Sequence, residues 1–254
     1  MRPEDLFSLA GKTIMITGSA SGIGQATAIA CARAGAKLVL VDINRDGLNE
    51  TLSIVQAEAG AFPYEMQVAD LSTDEGLEGL VEISPVLDGA VFCAGIGITK
   101  TVPFYSREDF HRVFDINFFA PVFLTKLLVK KKKLSKTASL VYMVSIGGVY
   151  SINPGNGIYG TSKSALHSFV KFAALELASK GIRCNSVCPA RVETPLIKQT
   201  PISEEEVIAD KKRYAMKRYA QPGEVAQGCV FLLSDASSYM TGQDLVLDGG
   251  RLLN

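Results

Sequence analysis

The sequence has little histidine, no CxxC pair and no net charge. Its two histidines, His111 and His167, fall in helical stretches and read as ordinary surface or packing residues. The five cysteines, Cys31, Cys93, Cys184, Cys188 and Cys229, form no CxxC and no Cys/His cluster, so no metal site is expected. Several lie inside apolar runs, as buried free thiols do, which fits a reducing, cytoplasmic setting. Lys and Arg number 26 and Asp and Glu number 26, which gives a nucleic-acid partner no electrostatic support. The one basic cluster, Lys130 to Lys133, reads as a solvated helix end where cations suit the dipole. No apolar stretch reaches membrane-spanning length, and the start, Met1-Arg2-Pro3-Glu4-Asp5, is polar. Neither a membrane span nor a signal peptide is expected.

What is present is alternation. Short β-branched runs are expected as strands at Thr13–Thr17, Lys37–Val41, Phe62–Gln67, Gly89–Cys93, Ser139–Val144, Arg183–Cys188 and Asp244–Leu247. Helical patterns lie between them at Gly22–Ala34, Arg45–Ala59, Thr73–Glu82, Arg107–Lys132, Tyr159–Ser179, Ser203–Tyr214 and Gly223–Ser234. Such alternation predicts an α/β fold, a parallel sheet with helices on both faces. Near-continuous apolar strands such as Leu38-Val39-Leu40-Val41 fit burial on both sides. No repeat or linker divides the 254 residues, so a single domain is expected. The stretch Ala190–Gln221 carries Pro195, Pro201 and the acidic run Glu204-Glu205-Glu206. It reads either as a substrate-binding lid or as a surface loop with a solvated helix.

The first βα junction reads Thr17-Gly18-Ser19-Ala20-Ser21-Gly22-Ile23-Gly24. Glycines after a strand and before a helix allow a tight turn and let the backbone approach a pyrophosphate, beside free helix N–H groups. Asp42 ends the second strand, eighteen residues beyond Gly24, where a carboxylate can accept hydrogen bonds from ribose hydroxyls. It would repel a 2′-phosphate, which favours NAD over NADP. Ser21 precedes Gly22 and Ile43 follows Asp42, so no cation stands ready for that phosphate, although Arg45 could swing toward it. The alternative for Asp42 is a turn or helix-cap residue.

Tyr159 and Lys163 stand four apart and share a face if helical. A lysine ammonium near a phenol favours the phenolate, and a tyrosine brought down from its usual pKa of about 10 can exchange a proton with an alcohol oxygen. An aromatic packed under a lysine stem gives the same spacing.

Taken in order, Thr17 to Gly24, Asp42, Asp70-Leu71, Cys93-Ala94-Gly95, Asn117, Ser145, Tyr159 to Lys163, Pro189 to Thr194 and Asp248-Gly249-Gly250 resemble the motifs of the short-chain dehydrogenase/reductase family along essentially the whole chain. The look is nearest to its 3-oxoacyl-[acyl-carrier-protein] reductases and neighbouring NAD-dependent alcohol dehydrogenases. The resemblance implies a doubly wound, seven-stranded Rossmann fold. It implies a hydride transfer between NAD(H) and a small-molecule secondary alcohol or ketone. An NADPH-dependent 3-oxoacyl-carrier reductase is the alternative within the family, and a non-catalytic dinucleotide-binding sensor or scaffold is the alternative of another class. By resemblance, Gly18, Ser21, Gly22, Ile23 and Gly24 would hold the phosphates, with Asp42 and Ile43 at the ribose. Asp70 and Leu71 would meet the adenine, and Cys93, Ala94 and Gly95 the adenosine and nicotinamide-ribose side. Pro189, Val192 and Thr194 would contact the nicotinamide end. Ser145 would hold the substrate oxygen and Tyr159 would be the acid/base. Lys163 would bind the nicotinamide ribose and lower the tyrosine pKa, and Asn117 would hold a proton-carrying water. Cys93 stands where the family has the asparagine that braces the central strand, and Ala190 where it has glycine. The family also implies a homo-oligomer, commonly a tetramer. The apolar Phe114, Phe118, Phe169 and Phe172 fit either that interface or the core.

Overall fold

Alternation along β1 (Thr13–Thr17) divides its side chains between two cores. Ile14 and Ile16 enter one apolar cluster, and Met15 enters the other. The strand is therefore covered on both faces. The computed structural model describes residues 6–60, 63–198 and 203–253. The helices and strands that follow β1 are α1 (Gly22–Arg33), β2 (Lys37–Asp42), α2 (Arg45–Ala59), β3 (Tyr64–Val68), α3 (Asp74–Ile83) and β4 (Leu87–Phe92). Next come α4 (Arg107–Phe114), α5 (Ala120–Lys130), β5 (Leu134–Met143), α6 (Gly157–Leu177), β6 (Arg183–Pro189) and the short α7 (Pro195–Lys198). Then α8 (Glu204–Lys211), α9 (Pro222–Leu233) and β7 (Asp244–Leu247) complete the chain. The first residues 1–5, the expected strand start at residue 62 and Pro201 of the excursion lie outside the described residues.

The strands form one parallel seven-stranded sheet in the order β3-β2-β1-β4-β5-β6-β7. This is the parallel sheet with helices on both faces expected from the alternation, and the doubly wound, seven-stranded fold that the resemblance implies. Strand order reverses between β1 and β4, and the crevice beyond the strand C-termini at that point is where such sheets bind ligands. One face carries α1 and α9, whose Ala28, Cys31, Ala226 and Cys229 pack beneath Ile14, Leu38 and Val141. The other face carries Leu77, Leu124 and Leu166 against Met15, Val39 and Leu140. Among the described residues no helix is long and apolar enough to cross a membrane.

Two boundaries differ from expectation for physical reasons. The single helix expected over Arg107–Lys132 is interrupted by a π-helical turn at Asp115–Phe119. The carbonyl of Asn117 would take its α-helical bond from residue 121, which is a proline without an N–H. Strand β5 starts at Leu134, before the expected Ser139, because Leu134 pairs with Leu87 ahead of a register shift. The lysine cluster does close a helix. Lys132 adopts a left-handed φ of 55°, and Lys133 Nζ donates to the Glu82 and Ser84 carbonyls at 3.0 and 2.6 Å. Of the four phenylalanines considered, Phe118 and Phe169 pack against the core and Phe172 is exposed, as are Phe119 and Phe123.

Candidate active site

The glycine loop is dictated by backbone crowding. Gly18 has φ +68°, and a Cβ there would lie 2.7 Å from the Ala94 amide nitrogen. A Cβ on Gly24 would lie 2.0 Å from the Gly18 carbonyl oxygen, so β1, the loop and α1 close only if residue 24 is glycine. Gly22 has φ +56° and faces Thr194. Ser21 precedes α1 without a side-chain cap, which leaves the first-turn N–H groups uncovered by it. These residues, with Ile23, line a cavity of about 320 Å³ that also reaches Asp42, Ile43, Asp70, Leu71, Cys93 and Ala94. A close backbone cradle beside a helix N-terminus is the arrangement a dinucleotide pyrophosphate requires. Among the described residues the lining holds the carboxylates of Asp42 and Asp70 and no cation.

Asp42 does serve the turn, as the alternative reading allowed. Its Oδ2 accepts from the Ala20 amide at 3.1 Å and its Oδ1 from the Asn44 amide at 3.0 Å. Each carboxylate oxygen has a second lone pair, so this role leaves acceptor capacity facing the cavity. Asp70 Oδ1 accepts from the Ser72 amide and hydroxyl at 2.9 and 2.6 Å.

A larger cavity of about 630 Å³ adjoins the first. The two share Ile23, Cys93, Gly95, Thr194 and Leu196, so they form two ends of one cleft. Ser145, Tyr159, Lys163, Pro189 and Val192 line the larger end. Ser145 follows β5, and its hydroxyl accepts from the Gly147 amide at 3.0 Å. Tyr159 and Lys163 sit one turn apart on α6, with Lys163 Nζ 5.7 Å from the phenol ring centre. Lys163 is buried, and its Nζ donates to the Met143 carbonyl at 2.8 Å. Burial lowers its pKa to about 8. In the chain alone, burial pushes the Tyr159 phenol above its ordinary value, against a smaller downward pull from the Ser145 hydroxyl. The expected lowering of the phenol by the lysine is therefore not realised by the protein alone, where burial dominates and the downward pull comes from the Ser145 hydroxyl.

Asn117 lies outside the lining but braces it. Its Nδ2 donates to Ile96 O and to Ser162 Oγ, both at 3.0 Å, and its Oδ1 accepts from Ile96 N at 2.9 Å. The side chain thus fixes the turn after β4. It supplies a brace to the stretch where Cys93 replaces the expected asparagine, together with Thr17 Oγ1, which accepts from Ala94 N at 3.3 Å. Cys93 itself is a free thiol, pushed well up in pKa by burial. Ala190 needs no glycine torsion, since Lys132 and Lys217 are the described non-glycine residues with positive φ. Gly155 has φ +79°, and a Cβ on Gly157 would strike the Tyr105 hydroxyl, so turn geometry and close approach explain both.

The profile of a family described as "Enoyl-(Acyl carrier protein) reductase" matches residues 18–251. The chain belongs to the short-chain dehydrogenase/reductase family. It is 34% identical over 247 residues to 3-oxoacyl-[acyl-carrier-protein] reductase FabG of Thermotoga maritima, which covers 96% of this chain and 99% of that protein. It is also 34% identical over 259 residues to a tropinone reductase homolog of Arabidopsis thaliana, covering 100% of this chain and 94% of the relative. A solved 7α-hydroxysteroid dehydrogenase in complex with NADH and 7-oxo glycochenodeoxycholic acid superposes with TM-score 0.90 at 29% identity, covering 98% of each chain. The fold and the reaction class, an oxidoreductase of this family, follow.

Motif reading in this oxidoreductase missed part of the larger cavity. Asp210, Tyr214 and Arg251 line it, as does Arg191. Asp210 and Tyr214 come from the Ala190–Gln221 excursion, and Arg251 follows the Gly249-Gly250 turn. Their approach depends on long-range packing that spacing does not encode.

Proposed function

We propose that the protein transfers a hydride between NAD(H) and a secondary alcohol or ketone, with Tyr159 as acid/base. The observation that carries this reading is one cleft that joins the glycine cradle to a wall bearing Ser145, Tyr159 and Lys163. A nicotinamide held there would donate or accept the hydride. Ser145 and Tyr159 would both bond the substrate oxygen, so alkoxide charge meets fixed donors. Tyr159 gives its proton to that oxygen in reduction and takes it in oxidation. Lys163 would bond the nicotinamide ribose from its buried position. Because the Asn117 side-chain amide is spent on Ile96 and Ser162, its main-chain carbonyl, whose α-helical donor position is Pro121, is the better group to hold a water leading from Lys163.

NAD is favoured because the smaller cavity offers Asp42 and Asp70 and no cation to a 2′-phosphate among the described residues. Residues 190–221 act as a lid in this reading, since Leu196, Ile197, Asp210 and Tyr214 close one side of the larger cavity. Exposed Phe119, Phe123, Phe172 and Leu175 on the helical surface support a homo-oligomer. The free cysteines support a cytoplasmic setting.

A panel of secondary alcohols and ketones assayed with both cofactors tests the reading. Turnover with kcat/KM higher for NADH than for NADPH is expected. An NADPH preference overturns the role given to Asp42, and dinucleotide binding without any turnover overturns the enzyme.

A further inference from the structure

Arg251 is buried, 9% exposed, on the wall of the larger cavity, yet no carboxylate or other acceptor partners its guanidinium among the described residues. Its unpartnered nitrogens are not themselves fully buried but open onto the cavity, which leaves a largely buried cation facing a space that an anion could fill. Its position is nevertheless tightly built. Asp248 accepts from the amides of Gly250 and Leu252 at 2.9 and 2.8 Å, and Arg251 N donates to the Asp248 carbonyl at 3.0 Å. Gly250, with φ +75°, lets this turn close on Ala215, where a Cβ would lie 2.6 Å from the Ala215 methyl. The guanidinium carbon lies 5.9 Å from the centre of the Tyr214 ring, which orients it without neutralising it.

Arg191 stands on the same wall and is only partly satisfied. Its Nε is 3.4 Å from Asp210 Oδ2, while its Nη1 is buried with no hydrogen-bond partner. Asp210 is already shared, since it accepts from the Tyr219 hydroxyl at 2.9 Å and lies 3.6 Å from Arg213. The charged lining is therefore Lys163, Arg191 and Arg251 against Asp210 alone.

We infer that Arg251, on a wall where it stands with Arg191 and Lys163 against Asp210 alone, forms a subsite for an oxyanion carried by the substrate, so that the ketone or alcohol reduced at Tyr159 bears a carboxylate or a phosphate ester. This rests on the hydride-transfer reading and names the substrate class it leaves open. The planar guanidinium fork of Arg251 matches either anion.

Matched pairs of substrates test it with the full chain and NADH. Acetoacetate and levulinate are compared with their methyl esters, and hydroxyacetone phosphate with hydroxyacetone. The expected result is a kcat/KM ratio of about 10–100 in favour of the charged member of at least one pair, which falls toward one in Arg251→Gln and less far in Arg251→Lys. The pair that responds tells a carboxylate from a phosphate. Equal kcat/KM within every pair overturns the inference, as does a preference that survives Arg251→Gln. Pentanoate and inorganic phosphate are titrated separately against the cofactor-free protein. A saturable rise in Tm with one of them, absent in Arg251→Gln, supports the subsite, and no rise in the wild type counts against it. If no ketone is reduced, the hydride-transfer reading fails while the titration still decides the anion site.

Discussion

Lys163 Nζ donates to the Met143 carbonyl at 2.8 Å from a buried position on the cleft wall, and this bond ties the first half of α6 to the end of β5. The amine is held at a pKa of about 8, against an ordinary 10.5, because burial penalises its charge. The unfolded chain therefore binds a proton that the folded chain releases between those values, and stability conferred at this site rises with pH across the window. Below pH 8 the full penalty is present. Relative to Lys163→Met, the wild type should gain on the order of 3 kcal/mol between neutral pH and the top of the window. Urea denaturation of both proteins at several pH values measures it, and a stability difference that does not move with pH contradicts the assignment.

Tyr159→Phe keeps the ring that lines the cavity and deletes only the hydroxyl. Under the proposed mechanism kcat should fall by about 10²–10⁴, the usual contribution of a placed acid/base. NADH affinity, followed by fluorescence titration, should stay within a few-fold, because the pyrophosphate cradle is remote from the phenol. Undiminished turnover would remove Tyr159 from the chemistry.

Gly24 and Gly79 make opposite predictions for the same methyl group. A Cβ on Gly24 meets the Gly18 carbonyl oxygen at 2.0 Å, so Gly24→Ala should destabilise by about 1–3 kcal/mol through overpacking and weaken dinucleotide binding at least about tenfold. A Cβ on Gly79, inside α3, meets nothing within 4 Å. Gly79→Ala should stabilise by up to about 1 kcal/mol, the helix-propensity difference. Thermal melts with and without NADH separate the two. Similar behaviour of both variants would show that the close approach at Gly24 is relaxed in solution.

The parts of this molecule legible in its sequence are those set by local pattern. Ile14, Met15 and Ile16 alternate between cores as a two-residue period requires, and the Gly18–Gly24 spacing announces the cradle in advance. Asn117 was legible as a site residue but not as a brace, because its partners Ile96 and Ser162 are brought to it by β4 and α6. The π-turn could have been suspected from Pro121, four residues after Asn117. Arg251 carried no such mark. Its burial follows from the closure of the last turn on Ala215, a contact between distant parts of the chain.

The edge of the sheet holds a second polar centre whose effect is structural. Asp244 begins β7, and its Oδ2 accepts from the Tyr150 hydroxyl at 2.6 Å and from Lys171 Nζ at 3.0 Å, with His167 Nε2 at 2.8 Å. Its Oδ1 accepts from the Ser186 hydroxyl of the neighbouring strand. Burial acts to raise the carboxyl pKa, but the bonds from Ser186, Tyr150, His167 and Lys171 together outweigh it and hold the group well below its ordinary 3.8. A depressed acid contributes stability that is present above the unfolded value and is lost as pH falls through the folded one. Asp244→Asn should therefore destabilise by on the order of 2–4 kcal/mol at neutral pH, since it leaves the surrounding donors without their charged acceptor. The gap between variant and wild type should narrow as pH drops below 3.8. Calorimetry across the acid range reads both effects. Because Asp244 lies outside both cavities, the kcat of the folded variant should match that of the wild type, and a large loss of turnover at full folding would move this cluster into the active site.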